Sequence, residues 1–385
     1  MDWGRIAGLS VLMFGLAGAS VAAETPTLAD AAEQRNGVLV RTLLDAGADV
    51  NAAQADGMTA LHWAVYNDDA ETAGRLVRSG ANINAANHYG VPPLSLACTN
   101  GNADLVKLLL DAGANANASI QGGETVLMTA SRAGNLGAVK ALLARGANPN
   151  ARERREQTAL MWAAAEGHAA VVQALIDGGA AIGASLKSGF TPLFFAVREG
   201  HIDVVRTLLA AGVDVNETLQ RSEDRPGPGV NRPVGKGTSP LLMAVENGHF
   251  ELAIALVDAG ANPNDVRTGF TPLHTIAFVR KPDSSDGSDP APPTGAGRLT
   301  SLEFVREIVK RGANVNFRLP KGTRRQPATS SAVGSEGATP FLFAADRSDV
   351  PLMVQAQAVD PTNSARLYAG AVANPSDAFV ARIVE

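Results

Sequence analysis

Residues 191–216 read TPLFFAVREGHIDVVRTLLAAGVDVN. This stretch holds two short helices and a stop between them. Thr191 stands where a helix N-cap belongs, its hydroxyl placed to accept from an otherwise orphaned N–H. Pro192 follows at the first helical position, where a missing N–H costs nothing. Leu193 and Ala196 give one apolar face over two turns, and Gly200 stops the helix. The segment from His201 then sets apolar residues at helical spacing up to Gly212. Beyond it the chain runs out through Asn216 into a polar stretch.

The same pattern recurs along the chain. Glycines of Gly-Ala-x-x-Asn or close variants fall at Gly47, Gly80, Gly113, Gly146, Gly179 and Gly212, 33 residues apart. The series continues at Gly260 and Gly312 after steps of 48 and 52, so insertions are expected there. Leu28, Leu61, Leu94, Leu127, Leu160 and Leu193 keep the same beat, followed by Leu241 and Leu273. Thr59, Thr125, Thr158 and Thr271 repeat the capping position of Thr191, and Pro240 and Pro272 repeat Pro192.

TALHWAV at 59–65, TPLFFAVREGH at 191–201, SPLLMAVENGH at 239–249 and TPLHTIA at 271–277, each with a GANxN-like end, resemble the ankyrin repeat. The resemblance implies an all-α solenoid of helix-turn-helix units carrying β-hairpin fingers. It covers residues 24–354 as eight complete units and part of a ninth, the first being a degenerate cap, TLADAAEQRN. Such units cannot bury their apolar faces alone, so they stack and draw their stability from neighbours.

Both ends depart from the beat. An apolar run from Ile6 to about Ala19 precedes small residues that fit cleavage after Ala23, so residues 1–23 are expected to direct export to the periplasm or beyond. An uncleaved anchor is the alternative, since the run nearly reaches spanning length. At the other end, the tail at 355–385 places Asp360 where the repeat glycine is due. Either a truncated or frame-shifted array or an unusual capping helix near Asp377–Val384 accounts for it.

Composition excludes several classes of function. A formal net charge of −5 gives no reason to expect nucleic acid or a membrane surface as partner. The single cysteine, Cys98, rules out an internal disulfide and sits among Leu94 and Ala97 as a small core residue. Zinc-protease, phosphate-loop, dinucleotide, nucleophile-elbow and calcium-loop motifs do not occur, so no cofactor, metal ligand or catalytic residue is expected. His62 and His274 take the histidine of the TPLH turn, where the resemblance implies bonds to adjacent backbone. His168, His201 and His249 follow the helix-stopping glycine, another regular position. Trp63 and Trp162 share a position with Leu96, Phe195 and Met243, which reads as packing between helices. Asn117 and Asn216 head glycosylation sequons, a weak signal.

Function is expected where the repeat leaves polar positions unassigned, on finger tips and the outward side of first helices, which in such arrays line a concave face. At the tips these are Asp56, His88, Tyr89, Gln121, Arg154, Arg155 and Lys187. On the first helices they are Tyr66, Asn67, Thr99, Asn100, Arg132, Glu166, Arg198, Glu199, Glu246 and Asn247. Tyr66 with Tyr89 is the best aromatic pair for a binding hot spot. Three insertions interrupt the array near 218–237, 283–300 and 319–336. The first carries Arg221 and Arg225 and the third Arg324 and Arg325, so both fingers are net basic on an acidic chain. The expected function is a non-catalytic, monomeric scaffold that binds a protein partner. Two alternatives stand beside it: the binding portion of a larger exported enzyme or electron-transfer protein, and a secreted effector that binds host proteins.

Overall fold

A computed structural model describes residues 26–219, 237–279, 297–320, 337–346 and 352. Residues 1–23, expected to direct export, most of each insertion with Arg221 and Arg225, and the 355–385 tail lie outside the described residues. Helices come in pairs. Unit 1 holds α1 (Leu28–Glu33) and α2 (Gly37–Asp45), and unit 2 holds α3 (Ala60–Tyr66) and α4 (Ala70–Arg78). Unit 3 holds α5 (Pro93–Asn100) and α6 (Ala103–Asp111), and unit 4 holds α7 (Val126–Arg132) and α8 (Leu136–Ala144). Unit 5 holds α9 (Ala159–Ala165) and α10 (Ala169–Asp177), and unit 6 holds α11 (Pro192–Glu199) and α12 (Ile202–Ala210). Unit 7 holds α13 (Pro240–Glu246) and α14 (Phe250–Asp258), unit 8 holds α15 (Pro272–Val279) and α16 (Ser301–Lys310), and α17 (Pro340–Asp346) opens a ninth.

Local chemistry sets the helix ends. Thr59, Thr125, Thr158 and Thr191 each accept the N–H three residues on, as the repeat pattern requires. Asn36, Asp69, Asn102 and Asn135 do the same for the second helices of units 1–4. Each such cap stabilises by about 1 kcal/mol. The leucines of the beat are all buried, from Leu28 to Leu273, and they form one continuous core with Phe194, Phe304 and the neighbouring alanines. In units 7 and 8 the second helices meet through Phe250 and Phe304, stacked at 5.2 Å.

The fingers hold only short traces of strand pairing. Among the described residues, strand pairing is limited to isolated bridges, Ala53 with Thr59 and Ser119 with Thr125. Each turn closes on one or two backbone bonds instead, as where Gln54 N–H donates to Met58 O at 2.9 Å and Leu186 N–H to Phe190 O at 2.9 Å. The two finger insertions stand on closed bases: Leu219 N–H donates to Thr238 O at 3.0 Å, and Leu319 N–H to Ala338 O at 3.1 Å.

Polar clamps register one unit on the next. After the end of a second helix, an asparagine grips the following unit with both ends of its amide. Asn84 donates to Gly113 O at 3.2 Å and accepts Asn115 N–H at 2.8 Å. Asn51, Asn117, Asn150, Asn216 and Asn264 repeat the grip. Gly183 takes this position between units 5 and 6, so the ladder has a missing rung there. A second set of clamps reaches the carbonyl that ends the preceding first helix. His168, His201 and His249 do so through Nε2, on Arg132, Ala165 and Arg198 O at 2.9–3.0 Å. The glycines one unit back make room for these rings: a Cβ on Gly134 would lie 2.6 Å from His168 Cε1, and Gly167 and Gly200 are as tightly faced by His201 and His249.

The TPLH histidines work in the same way. His62 Nε2 donates to Val91 O at 3.1 Å, which leaves Nδ1 to accept from Thr59 N–H at 3.2 Å. His274 Nε2 donates to Ala338 O at 3.2 Å, with Nδ1 against the Thr271 hydroxyl at 2.7 Å. Both rings are wholly buried. Burial holds both below the usual histidine range, His274 down to about 4.

Burial of these rings sets the response to acid. The unfolded chain takes up a proton near 6.5 that the buried His274 refuses until about 4, so its stabilising effect is full above 6.5 and is lost as pH falls toward 4. We predict a loss of about 2 kcal/mol from His274 between pH 7 and pH 5. Urea midpoints at the two pH values measure it, and His274→Gln is expected to flatten the difference. The missing rung gives a second expectation. Gly183 has open space around its α-carbon and a backbone outside the left-handed region. Gly183→Asn is therefore expected to add about 1–2 kcal/mol, from two new bonds and a less flexible unfolded chain. A melting temperature no higher than that of the parent would refute this.

Candidate functional site

The first helices and the fingers present a common face, and its N-terminal end is one bonded network. Gln54 Nε2 donates to Asp30 Oδ1 at 2.7 Å and to Glu33 Oε2 at 2.8 Å. Its Oε1 accepts the Trp63 indole N–H at 2.6 Å. Hydrogen bonds from Gln54 and then Thr27 hold the Asp30 carboxyl below its usual range. Trp63 in turn meets the Tyr66 ring edge-on at 5.6 Å. Tyr66 is 56 % exposed and Tyr89 69 %. No ring contact joins the two tyrosines. Tyr66 sits at the end of α3 and Tyr89 at the tip of the next finger. That finger is fixed to its neighbour, since His88 N–H donates to Asp56 O at 2.9 Å and the His88 ring lies over Gly57.

The middle of the face is built from arginines lying on aromatic rings. The Arg132 guanidinium sits 5.2 Å from the centre of Trp162 and pairs with Glu124 at 3.0 Å. Arg198 lies 5.2 Å from Phe195 and 5.6 Å from Phe190, and pairs with Glu199 at 2.7 Å. Stacking of this kind, worth about 0.5–1 kcal/mol at exposed sites, holds each cation in place. Trp162 repeats Trp63, yet its buried indole N–H has no partner. Glu153 stands where Gln54 stands at Trp63, and its carboxylate turns back to accept Arg155 and Gln157 N–H. Arg154 N–H donates to Gly122 O at 2.9 Å, and Gln121, Glu166 and Lys187 are exposed.

Several of the polar positions singled out in the sequence hold the stack together. Asn67 Nδ2 donates to Ala32 O at 3.0 Å and Glu33 O at 3.3 Å, and Asn100 Nδ2 to Val65 and Tyr66 O at 3.0 Å each. They perform in units 2 and 3 the task that histidines perform in units 5–7. Asn247 Nδ2 turns inward to Met243 O and Thr99 Oγ1 to Ser95 O, each at 3.0 Å, and Glu246 is half-buried. Gln54, Asp30 and Glu33 were not singled out by the sequence pattern, because a glutamine at a finger position carries no chemistry of its own until Trp63 is brought beside it.

At the base of the first inserted finger, Asp265 is almost wholly buried. Its carboxylate accepts from Arg267 Nε at 2.8 Å and Nη2 at 2.9 Å. Burial pushes its pKa up, but the bonds from Arg267 and Ser239 outweigh this and hold it low. Arg267 Nη1 also donates to Asn216 O at 2.8 Å, which ties adjacent finger bases together. Glu217 nearby is pushed up by burial and meets the Thr191 hydroxyl at 2.5 Å. Among the described residues no group of three or more histidine, cysteine or acidic side chains is placed to hold a metal ion, and no helix is long and apolar enough to cross a membrane.

Comparison with protein families gives two matches. A family model described as ankyrin repeats (3 copies) matches residues 28–121, 76–153 and 127–218. One described as ankyrin repeats (many copies) matches residues 193–257. No curated protein matches the chain.

Cys98, the one thiol, is fully buried, and burial pushes its pKa up to about 12. A thiolate-selective disulfide reagent at pH 8 is therefore expected to label the folded protein at least a hundredfold more slowly than the urea-unfolded chain. Equal labelling rates would show that the core of unit 3 is open.

Proposed function

Because the chain belongs to the ankyrin-repeat family, whose arrays are generally protein–protein interaction modules, we propose that it is a non-catalytic, exported scaffold that binds a protein partner through its fingers and first helices. The observation that carries this reading is the placement of exposed apolar surface. Only Val38, Tyr66 and Tyr89 are large, apolar and exposed among the described residues, and both tyrosines lie on the finger and first-helix face. Tyrosine gives much contact area at low entropy cost, which suits it to hot spots. The stacked Arg132 and Arg198 add fixed cations to the same face. Such an arrangement fits a partner segment that offers apolar contact at one end and carboxylates toward the other.

The test is affinity capture from envelope and soluble extracts on the immobilised chain, followed by titration of the protein retained. Tyr66→Ala with Tyr89→Ala is expected to weaken that complex by about thirtyfold or more, a loss of about 2 kcal/mol or more for the pair. Since both rings are mostly exposed, the melting temperature should stay within 2 °C of the parent, within about 0.5 kcal/mol for surface changes. Undiminished affinity in the double variant would overturn the reading.

A further inference from the structure

Along units 1–7, the junction between units 3 and 4 differs from the others on the side where first helices and fingers lie. The carbonyl ending α3 is held by Asn100, and those ending α7, α9 and α11 by His168, His201 and His249. The carbonyl ending this series in unit 3 belongs to Thr99, and nothing in unit 4 grips it. Ala133 stands where Asn67 and Asn100 stand, and Asn135 where the histidines stand. Asn135 is too short to cross: its Nδ2 is buried with no hydrogen-bond partner. The glycine seat for a ring is nevertheless present. A Cβ on Gly101 would meet nothing closer than Asn135 Nδ2 at 3.9 Å, against 2.6–2.7 Å at the three seats a histidine fills.

The finger tips at this junction lack a bond that the two flanking pairs make. Asp56 O accepts His88 N–H, and Gly122 O accepts Arg154 N–H, each at 2.9 Å. The corresponding pair between them, Tyr89 and Gln121, is not bonded. The finger on the far side carries two successive left-handed glycines, Gly122 and Gly123. The second-helix side of this junction is, by contrast, tightly joined. Asn117 grips Gly146 and Asn148, Arg145 reaches Leu110 O and the Asp111 carboxylate, and Gly137 lies so close to Ala103 that a Cβ there would sit 2.7 Å from its methyl.

We propose that this junction is a hinge. The block at 26–117 and the block beginning at 118 turn about a line along α6 and α8, parting on the side of the first helices and fingers. Apolar contact between α5 and α7 is non-directional and tolerates a small rotation, whereas a carbonyl clamp fixes it. The hinge separates the Tyr66 and Tyr89 patch from the Arg132 and Arg198 patch, so it sets the spacing at which a partner must present its two ends.

Paired spin labels in the full chain test this. Cys98 is buried and stays unlabelled, so labels go on Tyr89→Cys with Gln121→Cys across the hinge, and on Gln121→Cys with Arg154→Cys within the second block. The distance distribution across the hinge is expected to be at least twice as broad as that within the block. Asn135→His, which places a ring in the Gly101 seat and gives up the Asn135 cap on Ala138 N–H, is expected to narrow the broad distribution to match. Equal widths in the parent chain overturn the proposal without recourse to the variant. A folded Asn135→His variant that leaves the distribution broad overturns it as well.

Discussion

A helix pair of this kind has an apolar face that water would otherwise meet, and only the next pair covers it. Everything else in the molecule follows from that dependence on a neighbour. Burial supplies most of the cohesion but says little about register, because apolar surfaces slide. Register comes from short polar reaches onto fixed backbone carbonyls. Asn84 and its counterparts grip the end of one helix, and His201 and its counterparts grip the end of the other. The carbonyls held by the histidines end first helices, where helix geometry leaves groups without an internal partner. The clamps therefore satisfy orphaned groups and align the units in a single contact.

Much of this was legible in the sequence, since the folding requirement repeats and the repeat is visible. The glycine and leucine beats located the helix pairs, and the regular spacing of five histidines identified them as structural before any bond was seen. Two things were not legible. Asn67 and Asn100 looked like unassigned surface amides, yet they perform the work of His168 and His201 from a position two residues earlier. A carbonyl can be reached from more than one side chain, so a change of residue type and position hides a conserved contact from pattern reading. The second was the fingers. The resemblance implies hairpins, and around Gln54 and Met58 the antiparallel pairing extends only to the single bridge of Ala53 with Thr59.

The candidate binding face was legible only in part, for a different reason. Nothing in the folding pattern demands Tyr66 or Tyr89, and both are largely exposed in the structure. Arg132 and Arg198 were singled out as polar positions, but their fixed posture over Trp162 and Phe195 depends on rings from another unit or another turn. Neither the posture nor the pairing with Glu124 and Glu199 can be read from a string.

The asparagine clamps also explain how this chain tolerates added length. In most units the asparagine and the carbonyl it grips are 29 residues apart, but Asn216 reaches Gly260 across 44 residues and Asn264 reaches Gly312 across 48. The bond is no longer for it: 3.0 and 2.8 Å, against 3.2 Å at Asn84. Extra residues leave and re-enter between fixed points, and the stack does not register their passage. Such an architecture is open to growth by splicing. New sequence can be tried at a finger, or between the two helices of a unit, and discarded again without renegotiating the core, so innovation in this lineage is expected to accumulate in the loops while the cassettes are copied almost unaltered.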